Sequence, residues 1–391
     1  MPRLLTHLLT ASFGMALALV LLELGSRLLP TPFEGDSNPA DTAWDPTGWR
    51  GKPNYQTTVA TDDYTHDLTL NSAGMHDTEH SLAKPANTFR ILMLGDSFVQ
   101  AVQVREPETA HQVLEDALNS RGASPPVEVV SAGVGGWGTG QQLQYFRREG
   151  RRYQPDLVLL MFFLGNDVKD NLPGRGVTVA GINHYAPYFV LAGHRLDPDP
   201  WLYAPGLEPV IGPASTGRKR VNDILGNIYR RSRLYQQLEP LVAAGPVQAS
   251  MLDFYLRRSD TFDYALVLTY ALAGQLHQEV TLDGAAFGVV LISPIDLIEF
   301  SRMSQAEREA VYQKFPGMRR AEEIESPNRQ IAAHLAGQGI EVLDLLPVFI
   351  QAVEDSGEKL HFEGDKHWTA AGNRLAGETI AGWVLQTFEL E

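Results

Sequence analysis

The sequence predicts an α/β fold built on an open, doubly wound parallel sheet. Three observations carry that expectation. Five short runs are apolar without the polar alternation of a half-exposed strand: FRILMLG (89–95), VEVVSAG (127–133), DLVLLMFFLG (156–165), FGVVLISP (287–294) and IEVLDLL (340–346). Strands buried on both faces read this way, and parallel sheets are made of them. Segments with helical periodicity separate the runs, as the crossovers of a parallel sheet require. Of the 391 residues, 44% are hydrophobic and 20% charged, enough apolar material for a large globular core.

Each element has its own warrant. In PETAHQVLEDALNS, Ala110, Val113, Leu114, Ala117 and Leu118 fall at i, i+3, i+4, i+7 and i+8, one stripe of a helix. Ser304 and Glu307 form a capping-box pair ahead of a helix through Tyr312. Thr369 is placed to cap the last helix, whose stripe includes Leu375, Ala376, Ile380, Val384 and Leu385. Between Asp170 and about Gly284 the rhythm breaks. This stretch reads as an insertion over the sheet's edge or mouth, with a small hairpin in APYFVLAGHRLDP. Helices are expected in DILGNIYRRSRLYQQLEPLV and from Met251 to Glu279.

Ahead of the first strand lie two segments of different character. Leu4 to Leu22 is 19 residues without a formal charge, enough at about 1.5 Å per residue to cross a hydrocarbon core of roughly 30 Å. Ala16-Leu17-Ala18 has the form of a signal-peptidase site, but Leu19 to Leu22 extend the run beyond it, which favours an uncleaved anchor. Arg3 precedes the run and Glu23, Glu34 and Asp36 follow it, so the positive-inside rule puts the bulk of the chain outside the cytoplasm, periplasmic or at the cell surface. Residues 31–85 are rich in Pro, Asp, Thr and Asn and read as a juxtamembrane arm, with a turn at NSAGMHD. The expected organisation is an anchor at 1–30, the arm at 31–85, and a domain at 86–391 with its insertion at about 171–284.

Composition excludes several functions. A net charge of −15 leaves no basic surplus for nucleic acid. With no cysteine, neither a disulfide framework nor a thiolate metal site is available. Eleven histidines remain, but no HExxH and no closely spaced histidine pair on a helix, so no metal site is expected. GVGGWG (133–138) fits G-x-G-x-x-G after a strand, yet no ribose-binding acid closes a strand about 20 residues on and Trp137 would crowd a pyrophosphate. No cofactor is therefore expected.

The chemistry gathers at strand ends. Gly95-Asp96-Ser97 follows the first strong strand. It reads either as a capping turn or as an elbow that presents a serine, although the lipase pattern G-x-S-x-G is absent because residue 99 is Val. A serine hydroxyl needs a base, and the base an orienting group. In HFEGDKHWTAAGN, an extended backbone puts Asp365 and His367 on one side; the alternative is an ordinary loop histidine beside an acid. Gly133, at the end of the second strand, and Asn166, at the end of the third, offer a backbone N–H and an amide of the kind a developing oxyanion requires.

GDSF, the glycine of SAGVGG, GND and a late D-x-H, in this chain order, resemble the SGNH/GDSL hydrolase family, and membrane-anchored bacterial members in particular. The resemblance spans roughly residues 86 to 391 outside the insertion. It implies a flavodoxin-like three-layer α/β/α sandwich and a serine esterase. By that implication Ser97 is the nucleophile, His367 the general base and Asp365 its orienting acid, while the Ser97 N–H, Gly133 N–H and Asn166 Nδ2 form the oxyanion hole. The family often carries the acid three residues before the histidine, where this sequence has Gly364; Asp365 lies two before, and Glu363 or a plain serine–histidine dyad are the alternatives. The implied substrate is a carboxylic ester, an O-acetyl group among the candidates, on a small molecule or on a glycan or lipid of the cell envelope. An O-acyltransferase using the same acyl-serine and a non-catalytic scaffold are the competing readings. Asp296 reads as a turn residue and Arg147, Arg148, Arg151 and Arg152 as a solvated helix end. Trp137 and Trp368 read equally as pocket rim or core.

Overall fold

The computed structural model describes residues 41–44, 47–172, 176–179, 182–192, 195–197, 260–314 and 326–388, together with residues 14, 17 and 18. The chain divides into two units, one formed by Ser37–Glu208 and Ser250–Glu391 and the other by Met1–Asp36 and Pro209–Ala249; the first carries the sheet and the candidate site. The apolar run Leu4–Leu22 lies outside the described residues except for Gly14, Leu17 and Ala18, which are helical. Among the described residues no helix is long and apolar enough to cross a membrane. The helix expected in DILGNIYRRSRLYQQLEPLV also lies outside the described residues.

The arm is more structured than its composition suggests. Strands β1 (Asp41–Trp44) and β2 (Gly48–Gly51) pair antiparallel, and so do β3 (Gln56–Ala60) and β4 (Thr65–Thr69). The period-2 pattern is present in QTTVA and THDLT, where inward and outward residues alternate. Polar threonines on both faces mask it in a hydropathy reading. Leu68 and Leu70 bury the hairpin against Tyr55, Val59 and Val102. The turn at Asn71 forms as expected: its Oδ1 accepts the N–H groups of Ala73 and Met75, and Gly74 takes φ +79°.

The main sheet follows. Strand β5 (Phe89–Gly95) runs into a short helix α1 (Ser97–Gln100), then α2 (Ala110–Ser120), β6 (Val127–Gly133), α3 (Thr139–Arg148), β7 (Leu157–Phe163) and α4 (Asp167–Asp170). Two small antiparallel pairs come next, β8 (Gly176–Val179) with β9 (Ile182–Tyr185), and β10 (Leu191–Ala192) with β11 (Arg195–Leu196). The second is the hairpin expected in APYFVLAGHRLDP. Helix α5 (Asp260–Leu282) leads into β12 (Ala286–Ile292), followed by α6 (Ile295–Arg302), α7 (Gln305–Lys314), α8 (Ser326–Ala336), β13 (Glu341–Asp344), α9 (Leu346–Ser356) and α10 (Ala370–Thr387). Ser304 and Glu307 cap α7 reciprocally, and Thr369 Oγ1 accepts from Gly372 N–H at the start of α10.

The five parallel strands lie in the order β13-β12-β7-β5-β6. Counted within the sheet that is 5-4-3-1-2, the doubly wound flavodoxin order, and its switch point lies between β5 and β7. Alternate residues feed two cores. Leu92, Leu94, Val158, Leu160 and Phe162 pack on one face with Leu143 and Phe146 of α3, Leu268, Leu272 and Leu276 of α5, and Ile331 and Leu335 of α8. Ile91, Met93, Leu159, Met161 and Phe163 pack on the other with Leu114 and Leu118 of α2, Phe349 of α9, and Ala376, Ile380 and Val384 of α10. Helix α5, expected at the end of the insertion, thus serves as a layer helix of the sandwich. Its Glu279 pairs with Arg147 of α3, and Asp283 just after it pairs with Arg151 just after α3, so part of the basic cluster is an interhelix tie as well as a helix end.

The arm covers what an open sheet leaves exposed. Strand β6 is an edge, and its outward N–H groups are capped: Ser131 N–H by Asp77 Oδ2 and Val129 N–H by Glu115 Oε2, both at 2.7 Å. Trp49 is buried against the loop after β6. Its Nε1–H donates to Gly135 O and the Trp137 Nε1–H donates to Trp49 O, each at 3.0 Å. Trp137 is thus core, not pocket rim, and Trp368 is core as well, packed on Phe98 and Phe349. Trp49→Ala is expected to cost about 3–5 kcal/mol of unfolding free energy, as a large buried aromatic does. Denaturant unfolding would measure it; a loss under about 0.5 kcal/mol, the range of an ordinary surface change, would show the arm to be peripheral.

Candidate active site

The site grows from the end of β5. Gly95 closes the strand where a Cβ would lie 2.3 Å from Val99 Cγ2, so the chain turns into α1 without room for a side chain. Asp96 caps that helix, its Oδ1 accepting the Phe98 N–H at 2.9 Å. Ser97 is the first helical residue, half-buried at the sheet's carboxyl edge beside the switch point.

His367 arrives on the loop between α9 and α10. A bridge between His361 and Trp368 closes its base, and the Phe362 N–H donates to His367 O at 2.9 Å. Lys366 sits in the left-handed region at φ +71°, which folds Asp365 back onto the ring two residues later. His367 Nε2 is 2.7 Å from Ser97 Oγ. Its Nδ1 contacts Asp365 Oδ1. The structure therefore brings Ser97, His367 and Asp365 into one hydrogen-bonded line, although 270 residues separate the serine and the histidine. Glu363 is turned outward and pairs with Lys359.

The D-x-H spacing has a local reason. A Cβ at Gly364 would lie 2.6 Å from Asp63 Oδ2 of the arm. That carboxylate accepts the N–H groups of Gly364 and Asp365, both at 3.0 Å. The position where the family often carries its acid is here kept bare for an acid from elsewhere in the chain.

Electrostatics follow the line. Burial works against the His367 imidazolium, but the hydrogen bond and charge of Asp365, with the charge of Asp96, outweigh it and raise the pKa above the ordinary imidazole value. Burial works against the Asp365 carboxylate, but its bonds to His367 and Tyr64 outweigh that and lower its pKa. Asp96 is wholly buried, and burial holds its carboxyl above the ordinary range, opposed by the Phe98 N–H and the charge of His367. Burial and the neighbouring Asp96 push Asp167 up in the same way.

The two expected oxyanion donors from other strands fare differently. Asn166 stands at the N-cap position of α4, just past the end of β7 and across the switch point from Ser97, and its side chain hydrogen-bonds the Asp96 carboxyl and not the helix. Gly133 has another place. The Val134 N–H reaches Gly95 O, so by strand alternation the Gly133 N–H points to the outer edge, away from β5. A Cβ there would sit 2.3 Å from Gln100 N and 2.5 Å from Val99 C. Gly133 is the bare seat on which α1 rests, which corrects its expected role as a donor. Gly135, in the loop beyond, is the glycine beside Ser97: a Cβ on it would lie 3.9 Å from Ser97 Cβ, and its N–H is held by Gln100 Oε1 at 3.0 Å. Tyr64, Asp63 and Gln100 escaped sequence reasoning because their contacts are long-range and no local motif marks them.

Among the described residues one group has metal-ligand proximity, Asp77, Glu106 and His111, on the far side of β6. Both Asp77 oxygens are already engaged, Oδ1 by the Thr78 N–H and His111 and Oδ2 by the Ser131 N–H and His80, so the group reads as a hydrogen-bond hub.

Residues 300–391, the stretch holding Asp365 and His367, match the family model described as the SGNH hydrolase-like domain of acetyltransferase AlgX. Over that stretch the chain is similar to the SGNH hydrolase-like domains. Solved structures with similarity include the acetyl xylan esterase AlAXEase (13% identity, covering 76% of this chain and 100% of that one, TM-score 0.38). Others are a lipase/acylhydrolase from Enterococcus faecalis (14%, 76% and 95%, 0.35) and the esterase EstA from a Pseudoalteromonas species (12%, 77% and 98%, 0.36). No curated protein matches the chain. In this site the charge of Asp365 should be visible in the titration of His367. Histidine-selective NMR is expected to show its imidazole losing its proton above the ordinary value of about 6.5. In Asp365→Asn the midpoint should move down; an unmoved midpoint would detach Asp365 from the ring.

Proposed function

We propose that this protein is a serine acyl-transfer enzyme that cleaves carboxylic esters through Ser97, His367 and Asp365. The observation that carries the reading is the 2.7 Å approach of His367 Nε2 to Ser97 Oγ, with Asp365 on the opposite ring nitrogen. In the proposed reaction His367 takes the Ser97 proton as Oγ attacks the ester carbonyl. The tetrahedral oxyanion forms among the Ser97 N–H, the Asn166 amide and the loop at Gly135. His367 then gives its proton to the leaving alcohol, leaving an acyl-serine, and activates water to release the acid.

The proposed substrate is an ester, such as an O-acetyl group, on a glycan or lipid of the cell envelope. This rests on the sequence reading of Leu4–Leu22 as an anchor that leaves the domain outside the cytoplasm. A second reading, transfer of the acyl group to a sugar hydroxyl in place of water, is favoured by the acetyltransferase named in the matching family model. The same acyl-serine serves both.

The test is p-nitrophenyl acetate turnover by the full-length chain, with and without an oligosaccharide acceptor. Ser97→Ala and His367→Ala are each expected to reduce turnover by about 10³-fold or more. Acetylated oligosaccharide in the product would select transfer, and acetate alone would select hydrolysis. Rates in both variants equal to wild type would overturn the reading.

A further inference from the structure

The hairpin β3–β4 lies some thirty residues upstream of Ser97, yet its tip touches the acid of the proposed triad. The Tyr64 hydroxyl donates to Asp365 Oδ2 at 2.8 Å, across 301 residues of sequence. That is the oxygen His367 Nδ1 does not use, since the ring contacts Oδ1. Beside it, Asp63 Oδ2 accepts the backbone N–H groups of Gly364 and Asp365. One side chain thus holds the carboxylate and its neighbour holds the backbone that carries it.

The tip is built to stay in place. Thr61 Oγ1 accepts the N–H groups of Asp63 and Tyr64, and the Thr61 N–H donates to Tyr64 O at 2.9 Å, which closes the turn. The Tyr64 ring packs on Phe362, 5.0 Å between centroids, at the start of the histidine loop. His66 Nε2 reaches Val102 O at 3.0 Å, tying β4 to the segment just after α1. Burial, then the bond to Asp365, raises the Tyr64 pKa well above its ordinary value, so the hydroxyl remains a donor throughout the pH range in which a histidine titrates.

We infer that Tyr64 and Asp63 are positioning residues for the Asp365–His367 pair, so that the arm's hairpin completes the active site. The inference rests on the serine–histidine reading proposed above. Its logic is that a carboxylate orients an imidazole only if it is itself held. Backbone bonds between Phe362 and both Lys366 and His367 close the loop, and the hairpin adds three more, to the Asp365 carboxylate and to the Gly364 and Asp365 N–H groups.

Tyr64→Phe removes the hydroxyl and keeps the ring contact with Phe362. The Asp365 charge would then be stabilised less by a donor and would rest more on the imidazolium, so His367 would lose its proton at higher pH. Reaction needs the neutral imidazole, so the acid limb moves upward.

The experiment is the pH profile of Ser97 phosphonylation by a fluorophosphonate on the full-length chain. This readout depends on the serine and its base and not on the acyl acceptor. Tyr64→Phe is expected to slow the plateau rate roughly tenfold, the scale of one hydrogen bond to a charged acceptor, and to raise the midpoint of the acid limb. Asp63→Ala is expected to slow it similarly, and Asp63→Asn, which keeps an acceptor oxygen, to restore most of the rate. Wild-type rate and midpoint in Tyr64→Phe would overturn the inference. So would a slower rate with an unmoved midpoint, or loss of the fold, since each makes the contact merely structural. Labelling that persists in Ser97→Ala would instead remove the serine reading itself; labelling abolished there but unaltered by the hairpin variants would remove this inference alone.

Discussion

At the elbow between β5 and α1 the chain leaves a strand buried on both faces and becomes a helix across a single residue, Asp96. The turn is possible because two positions have no Cβ. A side chain at Gly95 would collide with Val99, and one at Gly133 on the adjacent strand would collide with the backbone of Val99 and Gln100. With both bare, α1 settles onto the end of β6, Asp96 caps it from below, and the Ser97 hydroxyl faces out of the sheet. The doubly wound strand order then does the rest of the gathering, because it leaves β5 and β7 side by side with their connections leaving in opposite directions. Asn166 reaches the site from β7, and the loop before α10 brings His367 over the top.

The acids around this elbow are held in different charge states by their surroundings. Three acids lie near one another, but burial holds Asp96 and Asp167 toward their neutral forms, while Asp365, in contact with the imidazole, is pulled toward its ionised form. The charge of Asp365, with that of Asp96, stabilises the His367 imidazolium. The same buried acids carry a structural duty, since Asp96 caps α1 and Asp167 Oδ2 accepts the Phe163 N–H at the end of β7.

Much of the sandwich was legible in the sequence because parallel strands announce themselves. FRILMLG and VEVVSAG coincide with β5 and β6, and the caps at Ser304 and Thr369 stand where their residue types suggested. Ser97 could be singled out because it follows an apolar run, and Asp365 and His367 because they form a short D-x-H motif in a polar turn ahead of a helix. What escaped reading depends on contacts between distant segments. QTTVA and THDLT carry a strand period but too little hydropathy contrast, so the arm read as a connector. Gly133 was legible as a special glycine and not as to why: a donor role and a bare seat under a helix both call for glycine, and only the direction of the strand's N–H groups separates them. Tyr64 and Asp63 had no local signature, and Gly364 gave one that pointed to a missing acid without showing that Asp63 fills the space.

The central claim is that Ser97 carries the acyl group. Rapid mixing of the full-length chain with p-nitrophenyl acetate, an acid quench and peptide mass spectrometry test it directly. The account predicts an acetyl group on the peptide containing Ser97, formed in step with the burst of nitrophenol and absent from His367→Ala. A full burst with Ser97 unmodified, or with the acetyl group on another side chain, would contradict it.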